Sequence, residues 1–217
     1  MPACTAPAKN DPPVKTRGSS RREGGIRQPL FRIGIVSENA TLSVNPKKDN
    51  SMGHTLEQFA AACHDILTAE PGPAGRAKVC SLLQDVLKDP QFVDAHLTDQ
   101  TPERKILYED SDLGFCILAH HYRGAKTSPP HDHGPSWAIY GQAQGETEMS
   151  DYELLEPADP DKPGKVRKVK TYKLTPGVAH VYNEGDLHSP SRAGSTRLIR
   201  IEGVNMETVR RLKFVAV

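Results

Sequence analysis

Three histidines stand at spacings suited to one metal ion: His131 and His133 in TSPPHDHGPSWAIYGQAQGE, and His188 in GVAHVYNEGDLHSPSR. A His-x-His pair on a β-strand sends both imidazoles to the same side, because strand side chains alternate with period two. A third imidazole from a distant strand would complete a facial set of nitrogens and leave coordination positions open for chemistry. Imidazole suits iron, zinc, nickel and copper alike, so the donor type does not choose the metal.

Such a site needs elements to hold it. Residues 1–51 carry few large apolar side chains and many Pro, Lys, Arg, Ser and Gly, the composition of a disordered tail. Translation from Met52 is an alternative to a start at Met1, and the cluster Arg21, Arg22 and Arg27 reads as solvated charge. A helical segment is expected over 52–102. Thr55 with Gln58 fits a capping box, and Leu56, Phe59, Ala60, Cys63, Ile66 and Leu67 recur at helical spacing. A second helix is expected over about Arg76–Lys88, with the stripe Val79, Leu82, Leu83, Val86 and Leu87, and a third turn around Asp89–Leu97. From 103 to 217 short strands alternate with turns, the texture of an antiparallel sandwich or barrel. Strands are expected near 104–109, 113–122, 128–133, 136–142, 146–155, 167–174, 179–183, 187–192 and 196–202. The last fourteen or so residues, VNMETVRRLKFVAV, fit strand or helix equally. Gly134, Gly145, Gly177 and Gly185 are read as turn positions that need unusual backbone angles.

With the strands in place, the histidine motifs resemble those of the cupin superfamily. The first motif, G-x5-H-x-H-x3,4-E-x6-G, is followed at His131, His133 and Gly145, with Ala138 where the glutamate ligand stands. The second, G-x5-P-x-G-x2-H-x3-N, is followed at Gly177, Gly185 and His188, with Asn183 for its proline and Arg192 for its asparagine. The resemblance spans roughly residues 104–203 and implies a mainly β fold: a double-stranded β-helix barrel with two or three N-terminal helices packed outside it. The three-histidine variant is similar to the cysteine dioxygenase (thiol dioxygenase) family, as is the string HDHGPSWAIYGQAQGETE. That similarity implies an iron(II) site where a small thiol and dioxygen meet and the thiol becomes a sulfinate. The chain also departs from the family. Ala138 replaces the cysteine that mammalian-type members cross-link to a tyrosine, and the late Ser-x-His-x-Tyr run has LIRIE as its nearest stretch. Arg104 and Arg123 lie near the family's carboxylate-binding arginine, but neither aligns cleanly.

Two further candidates for the chemistry are Tyr140 and Arg200. Tyr140 lies two residues beyond Ala138, shares its face, and would offer a phenol to a bound oxygen or substrate atom. Gln142 shares that face, whereas Trp137 points away from it and packs. Arg200 and Glu202 alternate with Ile199 and Ile201. This polar face either meets water, the slightly favoured reading, or turns inward so that Arg200 clamps a carboxylate and Glu202 orients it. Asp132 must face away from its flanking ligands and is read as a loop-fixing group. His120, His121 and His180 are read as packed or solvent-facing, and His54 and His64 as helix surface.

Composition narrows the classes further. The chain's 217 residues carry 28 basic and 27 acidic groups, so no global field favours nucleic acid or a membrane surface. No apolar run reaches transmembrane length, and the N-terminal residues lack a secretory h-region. Cys4, Cys63, Cys80 and Cys116 lack metal or disulfide spacing and read as reduced thiols of a cytoplasmic protein. The expected function is a mononuclear non-haem iron dioxygenase acting on cysteine or a mercapto acid, with a small thiol and dioxygen as partners. The alternatives are a cupin isomerase, lyase or carbon-oxidising enzyme using zinc, nickel or manganese, or a non-catalytic cupin that binds a small ligand. Oligomeric state is left open.

Overall fold

A computed structural model describes residues 53–217, so the expectations for the tail lie outside the described residues. Helix α1 spans Leu56–Ala69 and starts on the expected capping box: Gln58 N donates to Thr55 Oγ1 at 3.2 Å, and Thr55 N donates to Gln58 Oε1 at 3.1 Å. Helix α2 spans Pro73–Val86, opening on a proline whose missing N–H would have no helical partner there anyway. Helix α3 spans Pro90–His96 and is capped by Asp89, which accepts from Gln91 N at 2.9 Å. No described helix is long and apolar enough to cross a membrane.

Ten strands follow: β1 Lys105–Glu109, β2 Cys116–Tyr122, β3 Lys126–Thr127, β4 Ala138–Gln144, β5 Thr147–Glu156, β6 Gly164–Leu174, β7 Ala179–Tyr182, β8 Leu187–Arg192, β9 Thr196–Glu202 and β10 Phe214–Ala216. They form two five-stranded sheets, ordered β1-β2-β9-β4-β7 and β10-β6-β5-β8-β3. From β2 to β9 the chain passes back and forth between the sheets, winding as a double-stranded β-helix. The ambiguous C-terminal segment resolves into a 3-10 turn at Met206–Thr208 and the short strand β10, which pairs parallel to β6.

The largest apolar cluster lies outside the barrel, between the helices and the first sheet, with smaller clusters around Met149 and around Val166. Phe59, Cys63, Val79, Leu83, Val86 and Phe92 pack against Ile117, Ala119, Ile139, Ile199 and Ile201. Each large aliphatic side chain buried there contributes about 1.5–3 kcal/mol relative to exposure. Gly141 lets α2 approach β4 closely: a Cβ at this position would stand 2.6 Å from Leu83 Cδ2 and 2.8 Å from Leu87 Cδ1. Period two then turns the other face of these strands into the barrel, carrying His120 and Tyr122 on β2, Tyr140 on β4, and Arg200 and Glu202 on β9.

Two expectations are corrected here. Residues 128–133 are not a strand: β3 is confined to Lys126–Thr127, and His131 makes only an isolated bridge to His188. Pro129 and Pro130 explain this, since each removes a backbone donor that a ladder would need. The favoured reading of Arg200 and Glu202 as facing water also fails, because the helices cover the isoleucine face of β9 and leave its polar face inside.

Candidate metal centre

His131 and His188 are brought side by side by backbone pairing. His131 N donates to His188 O, and His188 N to His131 O, both at 2.9 Å. The tight turn after His131 returns His133 to the same place, helped by Asp132, whose Oδ1 accepts from Gly134 N at 3.0 Å. Gly134 takes φ +58°, a conformation that side-chain-bearing residues adopt reluctantly. The outcome is a cluster in which one ring nitrogen from each of His131, His133 and His188 lies within 4.8 Å of the others, a spacing from which they could hold one metal ion.

The donor atoms fit that role. His131 Nδ1 lies 2.9 Å from Pro129 O and His188 Nδ1 lies 3.1 Å from Asp186 O. A carbonyl only accepts, so each Nδ1 carries the proton and each Nε2 keeps a free lone pair. His188 Nε2 is buried without any hydrogen-bond partner, as is His133 Nδ1, and each such atom costs about 1–3 kcal/mol if nothing satisfies it. Burial holds all three imidazoles below their ordinary range: His131 falls to about 4, and His133 and His188 fall further, each also opposed by cationic neighbours. All three are therefore neutral at pH 7, the state a metal requires. No carboxylate belongs to the cluster among the described residues.

Neighbouring rings hold two of these imidazoles in place. Tyr182 stacks on His188 with centroids 3.7 Å apart and an interplanar angle of 18°. Tyr182 in turn donates its hydroxyl to Tyr172 at 2.5 Å, and Tyr172 donates to Asp151 Oδ1 at 3.1 Å. Tyr140 Oη stands 3.2 Å from His133 Nε2. Full burial raises the Tyr140 phenol above its ordinary range, so the hydroxyl keeps its proton.

A cavity of about 760 Å³ opens beside the cluster, lined by Tyr122, His131, Tyr140, Arg192, Arg200 and Arg211 among others. His133 and His188 have no solvent exposure, so His131 and Tyr140 form the cavity's contact with the centre. Arg200 lies over the Tyr140 ring, 4.8 Å from its centroid, and Arg192 lies over the Tyr122 ring at 4.1 Å. Glu202 is completely buried: its Oε2 accepts from Arg104 Nη2 at 3.1 Å, and its Oε1 is 3.0 Å from Arg200 Nη2, close enough for an ion pair but poorly aligned for a hydrogen bond.

The other sequence candidates have structural roles. Gln142 faces inward as expected, but its amide is occupied by Gln144 O and Thr147 Oγ1. Trp137 joins the outer core under the Arg76 guanidinium. Arg123 donates to Asp99 O and Thr101 O, while Arg104 binds Glu202 and Asn205. His64 pairs with Asp110, and His121 with Ser195. His180 packs against Tyr172 and Tyr182. Cys63, Cys80 and Cys116 are buried free thiols, and Cys4 lies outside the described residues.

Sequence reasoning passed over Arg192, Tyr122 and the inward placement of His120. The signal was available in alternation: His120 and Tyr122 share the parity of buried Leu118, and Arg192 that of His188. His120 is 2% exposed, with Nδ1 bonded to Glu103 O at 2.7 Å, and burial beside Arg200 holds its imidazole down at about 3.

These depressed imidazoles predict a pH dependence. Below the ordinary imidazole value of 6.5 the unfolded chain takes up protons that folded His120 and His131 refuse, so stability is full above that value and falls as pH drops. Each buried imidazole contributes up to about 1.4 kcal/mol per pH unit. The urea midpoint of the metal-free protein is expected to fall steadily between about pH 7 and about pH 5; an unchanged midpoint would mean the imidazoles titrate normally in the fold.

No protein-family model matches the chain, and neither does any curated protein. Among solved structures it is similar to the cupin domain of Cnp3 from Schizosaccharomyces pombe, with 11% identity and a TM-score of 0.36 over 48% of this chain and 65% of that one, just under two thirds of its length. It is similar to a cupin-2 domain protein from Shewanella frigidimarina, with 13% identity and a TM-score of 0.34 over 48% and 83% of the two chains. A third is KdgF from a Halomonas species, with 18% identity and a TM-score of 0.36 over 52% and 91%. The double-stranded β-helix of this chain stands on its own strand winding, and the centre within it on its own three imidazoles.

Proposed function

We propose that the chain is a mononuclear non-haem iron(II) dioxygenase that oxidises a small thiol to its sulfinate. The observation that carries this reading is the donor set: three neutral imidazoles without a carboxylate, at the wall of a cavity lined by cations. Such a set leaves the ion's positive charge uncompensated and favours an anionic partner, for which a thiolate is the soft choice. When bound, iron(II) supplies the one-electron chemistry by which dioxygen adds both its oxygen atoms to a thiolate sulfur, giving a sulfinate.

The chain's own residues would position the substrate. Arg200, fixed between Glu202 and the Tyr140 ring, presents a guanidinium for a substrate carboxylate. The protonated Tyr140 hydroxyl donates a hydrogen bond next to His133. Zinc, nickel or manganese would fit the same nitrogens and support a non-redox cupin chemistry instead.

Oxygen uptake by the iron(II)-loaded protein decides between them. The panel is cysteine, 3-mercaptopropionate, cysteamine and mercaptosuccinate, with the His133→Ala protein as control. Uptake with at least one thiol, lost in the variant, is expected. Silence across the panel with iron bound would overturn the reading and favour isomerase, lyase or carbon-oxidising chemistry.

A further inference from the structure

The cavity beside the metal centre carries more positive charge than one substrate carboxylate can answer. Arg192, Arg200, Arg211 and Lys213 all line it, and no Asp or Glu does. Glu202 stands behind Arg200 and Glu207 pairs with Arg104, so the cavity's unanswered charge is that of Arg192, with Arg211 and Lys213 at its mouth. Arg192 is 3% exposed, its side chain makes no hydrogen bond or ion pair to any described residue, and its Nε is buried without a partner. A guanidinium so desolvated is costly unless an anion meets it.

The buried Arg192 and the largely buried Arg200 come from different elements. Arg192 belongs to β8 in the second sheet and Arg200 to β9 in the first. Each rests on its own tyrosine ring, Tyr122 and Tyr140 respectively. Stacking fixes the plane of a guanidinium and leaves its N–H edge free for a planar, two-oxygen acceptor. Arg211 and Lys213, both exposed on the C-terminal segment, stand at the cavity mouth, where their charge draws anions inward.

We propose that this cavity selects a small dicarboxylate, one carboxylate held by Arg192 and the other by Arg200. The inference rests on the reading of the cavity as the substrate site, and it narrows the thiol to one bearing two carboxylates. A monocarboxylate would engage only one of the two guanidiniums that line the cavity.

The test is calorimetric titration of the full chain, as purified, with succinate and with propionate, at low ionic strength. Neither probe is a thiol, so the result does not depend on redox chemistry. Succinate is expected to bind at least about tenfold more tightly than propionate. Arg192→Gln is expected to remove most of that advantage, with a melting curve to show that the variant folds. Should Arg192→Gln fail to fold, the comparison on the unaltered protein still decides. Equal affinities, no binding of either acid, or an advantage untouched in a folded Arg192→Gln protein would each overturn the proposal. Succinate selectivity together with silence in the oxygen-uptake panel would sink the dioxygenase reading and leave the dicarboxylate site standing.

Discussion

Replacing His188 by alanine is expected to cut metal affinity by at least about a hundredfold, since even the groups that merely orient metal-binding histidines are worth 10–100-fold. His188 is the sharpest test of the three because its Nε2 is buried, unprotonated and without any partner in the protein. No nearby carboxylate can take its place in the cluster. The fold should survive, since the largest apolar cluster lies between the helices and the first sheet, away from this residue. Metal saturation gives the cleanest readout. At a thousandfold excess of metal over its dissociation constant, the unaltered protein gains about 4 kcal/mol of stability, and its melting temperature rises accordingly. Under the same conditions the His188→Ala protein should gain at most about 1.4 kcal/mol and should lose its metal on dialysis. An alanine variant that keeps a full equivalent of metal would remove the three-histidine centre from consideration.

The largest loss of stability is expected at Glu202. This carboxylate is completely buried and accepts from Arg104 Nη2 at 3.1 Å and from Met206 N at 3.2 Å, with Arg200 Nη2 3.0 Å from its other oxygen. Glu202→Ala leaves Arg200 without its counter-charge and Arg104 with only the exposed Glu207, and removal of one partner from a buried ion pair costs about 3–5 kcal/mol. Arg104 and Arg200 keep 21% and 12% of their side-chain exposure, so water relieves part of this and the lower end of the range is the expected value. Against a typical total stability of about 5–15 kcal/mol, that loss shifts the urea midpoint far outside error. Arg104→Met in the same background should recover part of it by removing one of the stranded charges. A change under about 0.5 kcal/mol would place Glu202 with ordinary surface pairs and contradict its burial.

Much of this architecture was legible before any coordinates. The α1 capping box was readable because both its hydrogen bonds run between residues three apart, Thr55 and Gln58. The four glycines chosen as turns, Gly134, Gly145, Gly177 and Gly185, all take positive φ, which follows from local sterics alone. The His-x-His pair was placed on a strand it does not have, because Pro129 and Pro130 outweigh a motif's usual geometry. The rings nevertheless converge, since the backbone pairing of His131 with His188 does the work expected of a ladder.

Arg200 marks the boundary between the two kinds of information. By itself the sequence determined that β9 would have two unlike faces, with Leu198, Arg200 and Glu202 on one and Ile199 and Ile201 on the other, because alternation is a property of the extended backbone. It also determined the three imidazoles, the glycine turns and the helical stripe of α1. Only the tertiary structure decided which face of β9 meets water. The three helices sit on the isoleucine face, so the largest apolar core is outside the barrel and the polar residues of β9 are enclosed beside a smaller inner cluster of Met149, Leu174 and Leu198. An amphipathic strand specifies that its faces differ; what covers each of them depends on a core shared by residues over a hundred positions apart, such as Leu83 and Ile199, and no local pattern encodes that choice.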